Sequence, residues 1–282
     1  MSGRIRPTAP VALVTGGAGG FGRAFSRRLS ARGYAVVVAD LDADGAAEVA
    51  TDVGGTPVRA DVSRPEEVVR AVRTAIEAYG RLDVVALNAG IGSGLGPTDP
   101  LDLAAYRRIV GVNQDAVVYG LDAAVPHLRG SGGKVVVTAS LAGLVPMPAD
   151  PLYTLTKTAV VGYVRAVAPP LAELGVTVTA LCPGFADTAI LGALREPLAA
   201  AAMPLLSPDD VGDAFLAVLD SGKPGECWFV QPGREPGPYG FRGVPGPRRP
   251  DTGPAEPGAG AAPADPGPAP ADPGAGPGGT SA

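Results

Sequence analysis

The stretch Val11-Ala12-Leu13-Val14-Thr15-Gly16-Gly17-Ala18-Gly19-Gly20-Phe21-Gly22 decides the fold. A short apolar run ends in a glycine-rich turn, and a helical pattern follows over residues 21–32, closed by Gly33. Glycines at such a junction permit a tight turn and let the backbone approach a pyrophosphate at the helix N-terminus. The spacing is Thr-Gly-x-x-x-Gly-x-Gly on Thr15, Gly16, Gly20 and Gly22. A second strand follows over residues 35–39 and is closed by Asp40. A carboxylate in that place can accept hydrogen bonds from adenosine ribose hydroxyls and repels a 2′-phosphate. No Lys or Arg stands among Gly17, Ala18 and Gly19 to counter it. These residues predict a dinucleotide site that prefers NAD to NADP.

Outward from this loop, strand-like and helix-like stretches alternate over residues 10–232, the pattern of a doubly wound α/β sheet. Further strands are expected at residues 57–60, 82–87, 134–138, 176–181 and 226–230. Helices are expected at residues 43–53, from the Ser63-Arg64-Pro65 start to Tyr79, at 101–128 with a shift near Pro126, at 153–174 and from Ser207 to about Leu219. Pro169-Pro170 predicts an end or bend near Ala168, because interior proline breaks or kinks a helix. Residues 1–9 read as a flexible arm. Residues 233–282, rich in Pro, Gly and Ala, read as a disordered tail that cannot bury enough apolar surface to offset its ordering entropy.

Composition narrows the function. The chain has 282 residues, 46% hydrophobic and 18% charged, with a formal net charge of −5. That balance suits a soluble core and lacks the basic footprint of a nucleic-acid binder. No apolar run approaches the roughly 20 residues of a membrane span, and no signal core opens the sequence, so a cytoplasmic location is expected. The two cysteines, Cys182 and Cys227, offer neither a disulfide framework nor metal spacing. The single histidine, His127, excludes a multi-His zinc site.

Tyr153 and Lys157 carry the chemistry. A spacing of four places both side chains on one helix face, one turn apart. A nearby cation favours phenolate, and a tyrosine tuned toward neutrality can act as general acid or base where a hydroxyl becomes a carbonyl. Lysine is rare in this chain, occurring only at 134, 157 and 223.

Together these motifs resemble the short-chain dehydrogenase/reductase family over residues 10–232. The resemblance implies a single Rossmann-type domain with about seven parallel strands in the order 3-2-1-4-5-6-7, with helices on both faces. It implies catalytic roles for Ser140, Tyr153, Lys157 and Asn113. Ser140 would fix the reacting oxygen, Lys157 would lower the Tyr153 pKa and hold the nicotinamide ribose, and Asn113 would hold a water linking Lys157 to solvent. Cofactor contacts are implied for Thr15, Gly16, Gly20, Phe21, Gly22, Asp40, Leu41, Asp61, Val62, Asn88, Ala89, Gly90, Tyr153, Lys157, Pro183, Gly184, Phe185 and Thr188. No metal is implied. Residues 140–144 and 182–191 are similar to the 15-hydroxyprostaglandin dehydrogenase group, from which Asp150 departs: that group has Gln three residues before the tyrosine.

The expected activity is hydride transfer between a secondary alcohol or ketone and NAD. The substrate pocket is expected from residues 93–96, 141–149 and 185–203, which are mostly apolar and favour a lipophilic substrate. The Ala- and Leu-rich stretch 186–207 reads as a lid. A homo-oligomer, dimer or tetramer, is implied by the resemblance. The alternative is a non-catalytic dinucleotide-sensing binding protein, which would not need Ser140, Tyr153 and Lys157 together.

Overall fold

The computed structural model describes residues 9–243. Residues 9–240 belong to one compact unit, and Phe241 begins a second, of which Phe241–Gly243 are described and carry no regular structure. The expected N-terminal arm before Ala9 and the tail beyond Gly243 lie outside the described residues.

Seven strands lie parallel: β1 Val11–Thr15, β2 Ala35–Asp40, β3 Thr56–Arg59, β4 Val84–Leu87, β5 Lys134–Thr138, β6 Thr177–Pro183 and β7 Cys227–Val230. The sheet order is β3-β2-β1-β4-β5-β6-β7-β8. Its last member, β8 (Gly237–Pro238), is a short antiparallel edge opposite Trp228 and Phe229. The expected tail therefore starts with an ordered return along the sheet, and disorder from residue 233 is corrected at this point. The central strands are buried on both faces, as parallel sheets are. Successive residues of β1 feed opposite layers: Val11 and Leu13 face one core, Ala12 and Val14 the other.

Helices α1 (Gly20–Ala31) and α2 (Ala43–Val53) cover one face together with α8 (Pro208–Ser221). The other face is covered by α3 (Pro65–Tyr79), α5 (Ala116–Leu128) and α6 (Pro151–Glu173). Phe25 of α1 stacks on Phe215 of α8 with ring centroids 4.3 Å apart. Between β6 and α8 the chain makes an excursion through a 3₁₀ segment (Ala189–Leu194) and the short α7 (Arg195–Ala200). Its base is closed by a bridge between Ala186 and Leu206, both buried.

Two helix expectations change. The shift expected near Pro126 occurs earlier. The helix α4 (Leu103–Val110) passes through a π-turn at Gly111–Asp115 into α5, which holds Pro126 inside it. The break expected near Ala168 does not occur, and α6 runs through Pro169 and Pro170 to Glu173. Both prolines sit exposed in the last turns, and the φ that proline fixes is itself helical. No described helix is long and apolar enough to cross a membrane.

Candidate active site

The glycine loop is packed so tightly that side chains are excluded. Gly16 has φ +64°, and a Cβ there would lie 2.8 Å from the Ala89 Cα. A Cβ on Gly22 would collide with the Gly16 carbonyl. Gly19 caps α1 without a side chain, so the first-turn amides and the positive end of the helix dipole open onto a cleft of 410 Å³.

Three carboxylates line that cleft: Asp40, Asp42 and Asp61. Asp40 is fixed by its own loop: Oδ2 accepts from the Ala18 amide at 2.9 Å and Oδ1 from the Asp42 amide at 3.0 Å. A carboxylate has about four acceptor sites, so Asp40 retains capacity toward the cleft. The Ser63 hydroxyl, assisted by the Ser63 amide and Arg64, holds Asp61 below the usual carboxylate range. Leu41, Val62, Ala89, Gly90, Phe21 and Thr188 also line the cleft.

Thr15, Gly22 and Asn88 act differently from simple contacts. Thr15 and Gly22 lie beneath the loop, buried. The Thr15 hydroxyl donates to the Ala86 carbonyl at 3.3 Å and accepts from the Asn88 amide at 2.9 Å. The Asn88 side chain donates to the carbonyls of Thr15 and Gly16 and accepts from Thr138 Oγ1. Asn88 thus ties together the ends of β1, β4 and β5.

The catalytic candidates converge where β5 ends. Ser140 caps a 3₁₀ turn (Leu141–Gly143), its Oγ accepting from Ala142 N at 3.1 Å and donating to the Pro183 carbonyl at 3.4 Å. Asp150 caps α6 through the Tyr153 amide, with Pro151 in the first turn. Gly143 lets the Ser140 turn press onto α6, since a Cβ there would stand 2.5 Å from the Lys157 carbonyl. Lys157 is 3% exposed; its Nζ donates to the Thr138 carbonyl at 2.8 Å and lies 5.6 Å from the Tyr153 ring centroid.

The electrostatics correct one expectation. Burial pushes the Tyr153 phenol up to about 12, against a lowering hydrogen bond from Ser140. Burial also pulls Lys157 down to about 8. The ammonium is turned toward the end of β5, so the counterweight to desolvation at the phenol comes from Ser140 instead of Lys157. Beneath them the hydrogen bond with the Cys227 thiol, together with burial, raises Cys182 well above the usual thiol range. Both cysteines are free and buried.

Asn113 lies in the π-turn and is 1% exposed. Its side chain clamps the backbone of Ile91: Oδ1 accepts from Ile91 N at 2.8 Å, and Nδ2 donates to the Ile91 carbonyl at 2.9 Å and to Thr156 Oγ1 at 3.2 Å. Both donors of the amide are therefore engaged by protein.

A second cavity of 410 Å³ holds Ser140, Tyr153 and Lys157, and shares Phe21, Asn88, Gly90, Thr188 and Ile190 with the first. The two form one trough from the glycine loop to the tyrosine. Its far walls are apolar, with Val145, Met147, Leu191, Leu194 and Met203, and Pro183, Gly184 and Phe185 complete it. Of the expected residues 93–96, none lines it; Ser93 is buried behind the wall, held by Asp150 at 2.6 Å. Ala18, Asp42, Gly92 and Gln231 line the trough unforeseen. Asp42 was legible as the cap of a helix, whereas nothing local marks Gln231. Among the described residues no group of His, Cys, Asp and Glu clusters to hold a metal.

The family model described as short chain dehydrogenase matches residues 10–199. The chain belongs to the short-chain dehydrogenase family. It is 34% identical over 193 residues to a 3beta-hydroxysteroid dehydrogenase of Eggerthella lenta, covering 66% of this chain and 74% of that protein. It is 34% identical over 195 residues to human 15-hydroxyprostaglandin dehydrogenase [NAD(+)], covering 66% and 71%. Among solved structures, the 3-ketoacyl-(acyl-carrier-protein) reductase from Brucella melitensis complexed with NADH superposes with a TM-score of 0.74 at 32% identity, covering 80% of this chain and 98% of that one. The protein is a short-chain dehydrogenase oxidoreductase, a family that acts on the hydroxyl groups of alcohols.

Proposed function

We propose that the protein is an NAD-dependent dehydrogenase or ketone reductase for a lipophilic secondary alcohol, with Tyr153 as general acid and base. The observation that carries this reading is the single trough that joins the glycine loop to Ser140, Tyr153 and Lys157. The residues fit a dinucleotide: the loop at Gly16 and Gly22 leaves no room for a Cβ, and helix-terminal amides face the cleft. Gly16, Gly20, Phe21, Asp40, Leu41, Asp61, Val62, Ala89 and Gly90 would hold its adenosine and pyrophosphate side, and Lys157, Pro183, Gly184, Phe185 and Thr188 its nicotinamide side, with Thr15, Gly22 and Asn88 shaping the loop. The bound nicotinamide supplies the hydride acceptor or donor. Asp40, Asp42 and Asp61 favour NAD, because a 2′-phosphate would enter a cleft lined by carboxylates.

In the reductive direction Tyr153, protonated at neutral pH, gives its proton to the carbonyl oxygen; in the oxidative direction it takes the hydroxyl proton. Ser140 holds that oxygen and the phenol in register. Lys157, one turn beyond Tyr153, would hold the nicotinamide ribose, and Asn113 fixes the Ile91 backbone. The apolar far wall, with the steroid and the prostaglandin named in two relatives, supports a lipophilic substrate. Exposed Leu103, Val118 and Leu155 on α4, α5 and α6 support a homo-oligomer, which light scattering tests. Tyr153→Phe keeps the ring and removes the acid. NAD-linked turnover across an alcohol and ketone panel should fall by about 10²–10⁴-fold in kcat. Turnover at the wild-type rate would reject the assignment, and a wild type inert toward the whole panel would favour a dinucleotide sensor.

A further inference from the structure

Asp150 stands on the wall of the catalytic cavity, three positions before Tyr153. Among the lining residues it is the one carboxylate; the other formal charge, Lys157, is drawn inward to the Thr138 carbonyl. Asp150 is held from three sides. Its Oδ1 accepts from the Tyr153 amide at 2.9 Å and from Ser93 Oγ at 2.6 Å, and its Oδ2 accepts from the Ser93 amide at 2.8 Å. A carboxylate has about four acceptor sites, so one remains, on Oδ2. That oxygen lies beside Gly92, another lining residue, where even an added Cβ would stand 3.6 Å away. An anchored carboxylate with a spare lone pair, in a cavity that also carries the apolar Val145, Met147 and Met203, favours a donor and penalises an anion.

We propose that Asp150 is a specificity-determining residue. Its carboxylate accepts from a hydroxyl or ammonium that the substrate carries in addition to its reacting oxygen, and it turns away substrates with a carboxylate in that place. The substrate class is then a diol or amino alcohol in preference to a hydroxy acid. This inference rests on the alcohol dehydrogenase reading above.

The test compares three ring alcohols of one shape: cyclohexanol, 4-aminocyclohexanol and 4-hydroxycyclohexanecarboxylate. NAD-linked kcat/KM is measured for the full-length wild type and for Asp150→Asn, which keeps a helix-capping side chain of the same shape without the charge. The amine-to-carboxylate ratio should exceed about tenfold in the wild type and fall by about tenfold in the variant, as for one lost polar contact in a buried site. A ratio that is the same in both proteins overturns the proposal, while cyclohexanol turnover by the wild type leaves the dehydrogenase reading standing. A wild type that turns over none of the three alcohols overturns both. Should Asp150→Asn fail to fold, Ser93→Ala removes a donor from Oδ1 and leaves more of the negative charge to Oδ2, the oxygen with the open site. The ratio should then rise, and an unchanged or lower ratio overturns the proposal.

Discussion

Lys157 is tethered to Thr138: its ammonium donates to the Thr138 carbonyl at 2.8 Å. Thr138 is the last residue of β5, and Ser140 follows two positions later. The same strand end thus sets the height of the amine and the position of the serine hydroxyl. Thr138 Oγ1 also donates to Asn88, which grips the glycine loop. Register between the Tyr153 end and the glycine-loop end of the trough is therefore carried by one threonine.

Removing the amine should change how stability depends on pH. Burial moves Lys157 from 10.5 to about 8 in the folded chain. Below the lower value both states carry the proton. Between the two values the unfolded chain keeps a proton that the folded chain has released, so stability rises with pH in that window. Wild-type stability relative to Lys157→Met should increase by about 2 kcal/mol between about pH 7 and about pH 9.5, measured by urea denaturation. A flat difference would show that the amine is solvated. Tyr153 acts with the opposite sign, since its raised pKa removes stability only above pH 10.

Asp40→Ala should shift the NAD-to-NADP ratio of kcat/KM toward NADP by about tenfold or more, as expected for one unit charge facing a 2′-phosphate. The variant also loses the acceptors of the Ala18 and Asp42 amides, costing about 1–3 kcal/mol, so the ratio is the informative reading. Retention of the wild-type ratio would show that Asp40 serves the loop alone.

Gly22→Ala forces a methyl into the Gly16 carbonyl. Overpacking of this kind costs about 1–3 kcal/mol, and the loop should lose its fit to a dinucleotide. A lowered Tm with weakened NAD binding by calorimetry is expected. Wild-type affinity would mean that the turn has slack.

Asn113→Ala leaves the buried Ile91 amide and carbonyl without their partners. The expected cost is about 1–3 kcal/mol per unsatisfied group, together with faster hydrogen exchange at Ile91. Asn113→Asp keeps the acceptor and loses the donors, so it should recover only the amide's protection.

Much of this was legible in the sequence, because the deciding signals are local. The β1 run, the glycine spacing and Asp40 lie within one strand-turn-helix-strand unit, and Tyr153 and Lys157 share one helix turn. The rest depends on distant partners. The Asp150–Ser93 clamp joins segments far apart in the chain, so neither residue announces the other. The proline pair looked like a break because the sequence does not show that its turn faces solvent. Strand β8 has only a Gly-Pro pair to mark it, and its existence comes from the open edge of β7. The Tyr153 pKa likewise depends on how deeply the ring is enclosed, which spacing does not encode.

The bridge between Ala186 and Leu206 pinches the segment between them into a loop whose two ends share one anchor. Before that anchor the chain leaves the sheet at β6; beyond it lie Ile190, Leu194 and Met203, which line the cavity that holds Ser140 and Tyr153. The segment is consequently a cassette. Its interior can be exchanged for a relative's version while the joints stay put, and the enzyme can acquire a new clientele without relearning how to fold.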